Sequence, residues 1–152
     1  MDRSNAQVSR HLAPEVRPLD SCDIKSILAR NSVGRLGFQR GAEIDIIPIQ
    51  YVYRDGCIYG RTAGGGKLDY LGEAGTEVAF EVDEVRSTRE WRSVLTHGTF
   101  EALQPDSSED WVHALGIVRT LHKSTLRRDD PRPDRSELFR ITIRSSSGRA
   151  LG

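Results

Sequence analysis

The chain has 152 residues, with 22 lysines and arginines balanced by 22 aspartates and glutamates, so its formal net charge at pH 7 is zero. A chain of this length is expected to form one domain with one core, burying roughly 68 to 70% of its unfolded surface. The absence of net charge argues against a protein drawn to nucleic acid or to an anionic membrane by its overall field.

The cysteine count and the distribution of apolar residues bear on the compartment. Cys22 and Cys57 are the only cysteines, and they match neither a metal-ligand nor a CxxC spacing, so we expect two reduced thiols. No apolar run follows the charged N-terminus, and no stretch is long enough to span a bilayer. These patterns predict a cytoplasmic protein.

The N-terminal part predicts an arm followed by a helix. Residues 1–18 are polar and contain prolines, which is typical of a mobile arm. A helix is predicted to begin after Leu19, with Asp20 or Ser21 as the N-cap, and to end near Asn31. Its apolar stripe consists of Ile24, Ile27 and Leu28. We expect this helix to cover one end of a barrel.

Three strands are predicted next, at residues 33–39, 43–53 and 57–63. Asp55 and Gly56 form a strong hairpin signal between the last two. Both faces of the second strand are apolar, which predicts that both are covered. Pro48, in that strand, cannot donate to a ladder, so we expect it at an edge or a bulge, where a flat ring could bind.

A glycine turn at residues 64–66 leads from the third strand into a predicted helix that opens with Lys67. Glycines let a backbone approach an anion, and the amides of a helix N-terminus point at it. Arg61 and Thr62 add a cation and a hydroxyl donor. A glycine-rich turn with two solvated cations is the alternative. No nucleoside triphosphate loop is present, because Leu68 stands where a Ser or Thr is required. A mononucleotide phosphate is the simplest ligand.

The rest of the chain predicts further strands at residues 76–85, 91–103 and 138–145. A helix is expected from about Ser107, with Ser107 and Asp110 forming a capping box, and residues 124–136 are expected to form a solvated loop. About six strands with hairpin connections and two principal helices indicate a mainly β protein with peripheral helices, folded as a small antiparallel barrel whose closure removes exposed edges. No histidine pair has metal-ligand spacing, and no residue is predicted to be catalytic.

Several short motifs carry a family resemblance. They are Pro48-Ile49-Gln50-Tyr51, Gly56-Cys57-Ile58-Tyr59, Thr62-Ala63-Gly64-Gly65-Gly66-Lys67-Leu68, Val78-Ala79-Phe80-Glu81-Val82-Asp83, Trp91-Arg92-Ser93-Val94 and Gly98. In this order they resemble the pyridoxamine 5′-phosphate oxidase-like superfamily, nearest to its nitroimidazole-resistance, flavin-nucleotide-binding branch. The likeness covers residues 19–145, between the arm and a C-terminal tail at 146–152. It implies a six-stranded antiparallel split β-barrel that forms a homodimer with FMN at the subunit interface.

On the phosphate side of the implied site, the resemblance assigns Lys67 to the FMN phosphate. It also places Gly60, Arg61 and Thr62 on the strand that supplies further phosphate and ribityl contacts. An arginine precedes this lysine in the true oxidases, whereas Gly66 stands here, so Arg61 or Arg92 would have to supply the second cation.

On the ring side, Pro48 and Ile49 match the strand that lies against the isoalloxazine. Ser93, and less directly Trp91, match the strand that reaches the cofactor beyond the phosphate. The C-terminal residues 145–150 do not match the arginine-containing ending with which the true oxidases hold pyridoxal phosphate. Vitamin B6 oxidation is therefore not expected.

The resemblance favours an FMN-binding oxidoreductase in which NAD(P)H or another donor reduces the flavin and a small electrophile reoxidises it. Two alternatives stay open. One is a flavin-binding carrier, sensor or store without turnover, and the other is a reductase that uses the deazaflavin coenzyme F420.

Overall fold

The computed structural model describes residues 13–63, 68, 71, 75–105 and 108–152. Within these ranges eight strands and two helices are present. In chain order they are β1 (Arg17–Pro18), α1 (Ser21–Arg30), β2 (Val33–Arg40), β3 (Glu43–Gln50), β4 (Val52–Arg54), β5 (Cys57–Thr62), β6 (Thr76–Ser87), β7 (Glu90–Leu103), α2 (Glu109–Leu121) and β8 (Glu137–Leu151). The strands form one antiparallel sheet in the order β3-β2-β6-β7-β8-β5-β4, and β1 pairs with β8. The predicted mainly β fold with two peripheral helices is confirmed.

The described strands outnumber the six predicted, partly because the strand predicted at residues 43–53 is interrupted at Tyr51. The Tyr51 amide donates to the Ser32 carbonyl at 2.9 Å, and the buried hydroxyl of Tyr51 donates to the Leu28 carbonyl at 2.7 Å. These bonds turn Tyr51 toward the end of α1 and separate β3 from β4.

The sheet is not closed by hydrogen bonds, since β3 and β4 are its two ends. The strands β3 and β5 nevertheless approach each other, which gives a split barrel. Gly60 in β5 permits this approach: a Cβ there would lie 2.4 Å from Cζ of Phe139 and 2.9 Å from the carbonyl oxygen of Gln50. The closure that was expected to remove exposed edges is therefore not observed, because β3 and β4 remain edge strands of the described sheet.

Helix α1 matches its prediction. Asp20 is the N-cap, and its carboxylate accepts from the Asp23 amide at 2.8 Å. The apolar stripe predicted for this helix is buried. At its other end Arg30 donates two bonds of 2.7 Å to Glu84 in β6, and Asn31 donates a third at 2.8 Å. These bonds lower the pKa of Glu84 to about 2 and tie the helix to the sheet.

Helix α2 begins later than predicted. Its N-cap is Ser108, whose hydroxyl accepts from the Trp111 amide at 3.3 Å, and Ser107, the predicted cap, lies outside the described residues. The helix packs over β4, β5 and β8. Its buried side chains pack with Tyr59 of β5 and Leu138 of β8. Together they form a second apolar cluster, in which the helix contributes Ala114, Leu115, Ile117 and Val118. No helix in the described ranges is long and apolar enough to cross a membrane.

Strand β8 continues past residue 145, the end that was predicted from the sequence. A bulge at Arg144 separates the pair His97–Ser145 from the pair Gly98–Ile143, and residues 146–151 remain paired with β7. The long β6–β7 hairpin offers a partner along this whole length. Residues 146–151 of the predicted C-terminal tail therefore belong to the sheet, and Arg17 and Pro18 of the predicted arm pair with Ala150 and Arg149.

One face of the sheet lies outside the barrel, and we call it the outer face. Register places Pro48 opposite Arg35, Arg35 opposite Glu81, and Asp83 opposite Ser93, so all five belong to it. The apolar members of this face that are exposed are Val33, Ile44, Ile46, Val85 and Leu95. The prediction that both faces of the 43–53 strand are covered was wrong for the single chain.

Candidate functional site

A groove of about 600 Å³ lies where β3 approaches β5. We call it the β3–β5 groove; its lining includes Ile47, Pro48, Ile49, Gln50, Arg61, Thr62, Leu68, Arg132 and Arg135. The volume is within the range of small-ligand sites. Four of the eight predicted cofactor-binding residues, Pro48, Ile49, Arg61 and Thr62, meet here, although β2, β6, β7 and β8 lie between β3 and β5 in the order of the sheet. The arginines at positions 132 and 135 come from the segment 122–136, the α2–β8 loop.

Arg61 is held in a buried ion pair. Its Nη1 donates to Oδ2 of Asp130 at 2.6 Å, and the side chains are only 7% and 1% exposed. Asp130 also accepts from the amide of Leu126 at 2.8 Å and from the amide of Arg132 at 2.9 Å. The hydrogen bond from Arg61 is the main reason that the pKa of Asp130 lies well below its usual range. The charge of Arg61 is therefore largely balanced within the chain.

Thr62 and Gly60 differ in what they can contact. The half-buried hydroxyl of Thr62 donates to the Ala63 carbonyl at 3.4 Å, a length at which the bond is weak and easily exchanged for a better acceptor. Gly60 does not line the groove, because Phe139 and the Gln50 carbonyl cover the position of its missing side chain. In this structure the glycine serves packing.

Arg135 brings positive charge to the groove. It is half-buried, and its guanidinium has no carboxylate partner in the described part of the chain. Nearby, Nε2 of His122 lies 3.0 Å from Oε1 of Gln50. Burial and then the charges of Arg61 and Arg135 lower the pKa of His122. Among the described residues, Arg135, rather than a histidine, therefore brings unpaired positive charge to the groove.

Trp91 and Ser93 lie elsewhere in the single chain. Trp91 lines a separate groove of about 480 Å³ with Arg92 and residues of the β6–β7 hairpin. The hydroxyl of Ser93 donates to Oε1 of Glu81 at 3.2 Å, on the outer face. The structure therefore brings neither residue into the β3–β5 groove of its own chain.

The remaining predicted site residue, Lys67, lies outside the described residues, together with the start of the helix predicted there. The glycine turn at residues 64–66 also lies outside them. The described structure covers the strand that leads into this turn, up to Ala63.

The contribution of the α2–β8 loop to the groove was not predicted from the sequence, where residues 124–136 were expected to form a solvated loop. Thr125 is fully buried and Asp130 is 8% exposed. Charge density and prolines favour a solvated loop, and no local pattern reveals that Asp130 has its partner 69 residues away. The only available signal was the excess of arginines in this loop.

Comparison with known proteins identifies the class. A sequence profile of the pyridoxamine 5′-phosphate oxidase family matches residues 20–150, so the chain belongs to that family. An FAD-binding protein from Mesorhizobium loti has a similar structure, with a TM-score of 0.72 and 27% identity, covering 90% of this chain and 99% of that one.

Two further proteins are similar to this chain. A putative 5-nitroimidazole antibiotic resistance protein from Bacteroides thetaiotaomicron shares the fold, with a TM-score of 0.70 at 18% identity, covering 93% of this chain and 90% of that one. An uncharacterized protein of Mycobacterium tuberculosis is 30% identical over 112 residues, which are 70% of this chain and 74% of that protein.

Proposed function

We propose that the protein binds a flavin nucleotide, FMN, in the β3–β5 groove and acts as an oxidoreductase that reduces a small electrophile. The observation that carries this proposal is that one groove is lined both by apolar side chains and by arginines and a hydroxyl. The similarity to the FAD-binding protein of Mesorhizobium loti supports a flavin as the ligand.

The residues of the groove fit the two halves of such a ligand. Ile47 and Ile49 are half-buried and pack against the core, so they present a firm apolar wall to a flat ring. Thr62 and Arg135 supply a hydroxyl and a guanidinium to the same groove, and both are suitable donors to a phosphate. The chain therefore offers binding, orientation and exclusion of water along the wall.

The chemistry would be that of the cofactor, namely the transfer of a hydride or electrons from NAD(P)H or another donor to an acceptor. The chain's own residues would hold the ring and the phosphate. None of the described residues that line the groove forms a nucleophile–base pair, and burial lowers the pKa of the neighbouring His122. No side chain is needed as an acid or base in this scheme.

The proposal includes a homodimer with the cofactor at the interface. Ile44 and Ile46 are 77% and 69% exposed on the outer face, and apolar surface of this kind is often covered by a partner. Ser93 lies on the same face, and Trp91 lies opposite Val85 of that face. A second copy seated there would bring residues of this group to the groove of its partner.

The cofactor can be tested on the purified protein. We expect a yellow protein that releases FMN on denaturation and whose flavin absorbance bleaches with NAD(P)H. Chromatography of the released cofactor against FMN, FAD and F420 standards makes the measurement. Release of FAD would correct the nucleotide, and colour without bleaching by any donor would support a carrier. A colourless protein that takes up only the deazaflavin would refute the flavin proposal.

The dimer can be tested with Ile46→Arg. A charge on the outer face should convert the dimer to a monomer and abolish FMN binding, because the site would lose its partner residues. Sedimentation equilibrium and a flavin titration measure the two effects. Val112→Arg is the matched control, since Val112 is 54% exposed on α2, which packs over β4, β5 and β8 and not over β3. A monomeric wild type, or an Ile46→Arg monomer that binds FMN normally, would contradict a shared site.

A further inference from the structure

We infer that Arg135, from the α2–β8 loop, binds the phosphate of the flavin nucleotide, and that Arg61 acts as a positioning residue for it through Asp130. This inference rests on the proposed flavin site and names the group that recognises its anionic end. It replaces Arg61 and Arg92 as candidates for the second cation.

The ion pairs of the described residues single out Arg135. Arg61 is buried against Asp130 at 2.6 Å, and the guanidinium of Arg132 makes two bonds to Asp134, of 3.1 and 2.9 Å. Each of these arginines therefore has a carboxylate partner. Arg135 lines the groove beside them without a carboxylate partner among the described residues.

A guanidinium that makes no ion pair keeps its N–H donors available for a bound anion. The guanidinium of arginine presents a planar set of donors that suits a phosphate. Arg92, the other candidate named from the sequence, lines the groove of Trp91 instead. Within one chain it is therefore not placed beside Thr62.

The backbone of the loop explains how Arg61 acts at a distance. Asp130, held by Arg61, accepts from the Arg132 amide at 2.9 Å, and the Arg135 amide donates to the Arg132 carbonyl at 3.0 Å. This chain of contacts runs from β5 to Arg135. Arg61 therefore fixes the loop that carries the phosphate-binding side chain.

The test compares FMN with riboflavin, which has the same ring and ribityl chain but no phosphate. We expect Arg135→Gln to weaken FMN binding by about 10- to 100-fold, the effect of one charged hydrogen-bonding group. Riboflavin binding should change by less than about twofold, and Arg135→Lys should recover part of the loss for FMN. Arg128→Gln is the matched control, because Arg128 is exposed on the same loop. Fluorescence titrations and melting curves of each variant make the measurements.

The outcomes separate the inference from the proposal on which it rests. Equal losses for FMN and riboflavin, or no loss for either, would overturn the role of Arg135 while leaving the flavin site intact. A wild type that binds neither compound would refute the flavin site itself, and the inference with it. A loss confined to FMN with an unchanged melting temperature supports phosphate recognition.

Discussion

Arg61→Ala is expected to lower the free energy of unfolding at pH 7 by about 3 kcal/mol, because it leaves a buried carboxylate without its cation. The pair is 7% and 1% exposed, with Nη1 and Oδ2 2.6 Å apart. Asp130 would keep two backbone donors, the amides of Leu126 and Arg132, which moderate the loss. Urea denaturation of wild type and variant measures it.

The same substitution should also change the pH dependence of stability. The pKa of Asp130 is depressed in the folded protein from its ordinary value of 3.8, so its contribution is complete above that value and is lost as the pH falls below it. Without Arg61 the pKa of Asp130 in the folded protein should rise. The difference in stability between wild type and Arg61→Ala should therefore shrink between about pH 5 and pH 2. A difference that is constant over this range would show that the ion pair is not its source.

An exposed ion pair in the same loop provides the control. Arg132 and Asp134 are 51% and 53% exposed, and solvated pairs contribute about 0 to 1 kcal/mol. Arg132→Ala should therefore cost no more than about 1 kcal/mol. Equal losses for Arg61→Ala and Arg132→Ala would contradict the role that we assign to burial.

Gly98→Ala is expected to destabilise the protein by about 3 kcal/mol, the upper part of the usual range for overpacking. A Cβ at this position would lie 2.2 Å from the carbonyl oxygen of Thr142 and 3.1 Å from the Cα of Ile143. Both atoms belong to the backbone of β8, next to the bulge at Arg144, so no side chain can rotate away. The strands β7 and β8 would have to separate at the centre of the sheet.

The control for this prediction is a glycine-to-alanine substitution at a position where the added Cβ meets no other atom. A Cβ at Gly116 in α2 would meet nothing within 4 Å, and alanine favours a helix over glycine by about 0.5 to 1 kcal/mol. Gly116→Ala should therefore stabilise the protein while Gly98→Ala destabilises it. Thermal and urea unfolding measure both, and a tolerated Gly98→Ala would show that β8 is not held as closely as the structure indicates.

Local sequence patterns predicted the elements well where the backbone period and the caps agree. The apolar stripe of α1 follows from helical spacing, and its cap at Asp20 follows from the preference for such a residue at a helix start. The alternation of β6 and β7 follows from the two-residue period of a strand. Predictions failed where a contact distant in sequence decided the outcome. Tyr51 interrupts a strand because its hydroxyl reaches α1, and β8 is long because β7 offers a partner.

The sequence by itself determined the family, the antiparallel character of the sheet and the strands that carry most of the candidate site, because these depend on local periodicity and on short motifs in order. Only the tertiary structure decided which cations pair with which carboxylates. The amino-acid sequence alone does not distinguish the electrostatic role of Arg61 from that of Arg135. Burial beside Asp130 balances the charge of Arg61, whereas Arg135 lines the groove without such a partner in the described part of the chain. Electrostatic roles of this kind depend on distance and desolvation, which residue order does not specify.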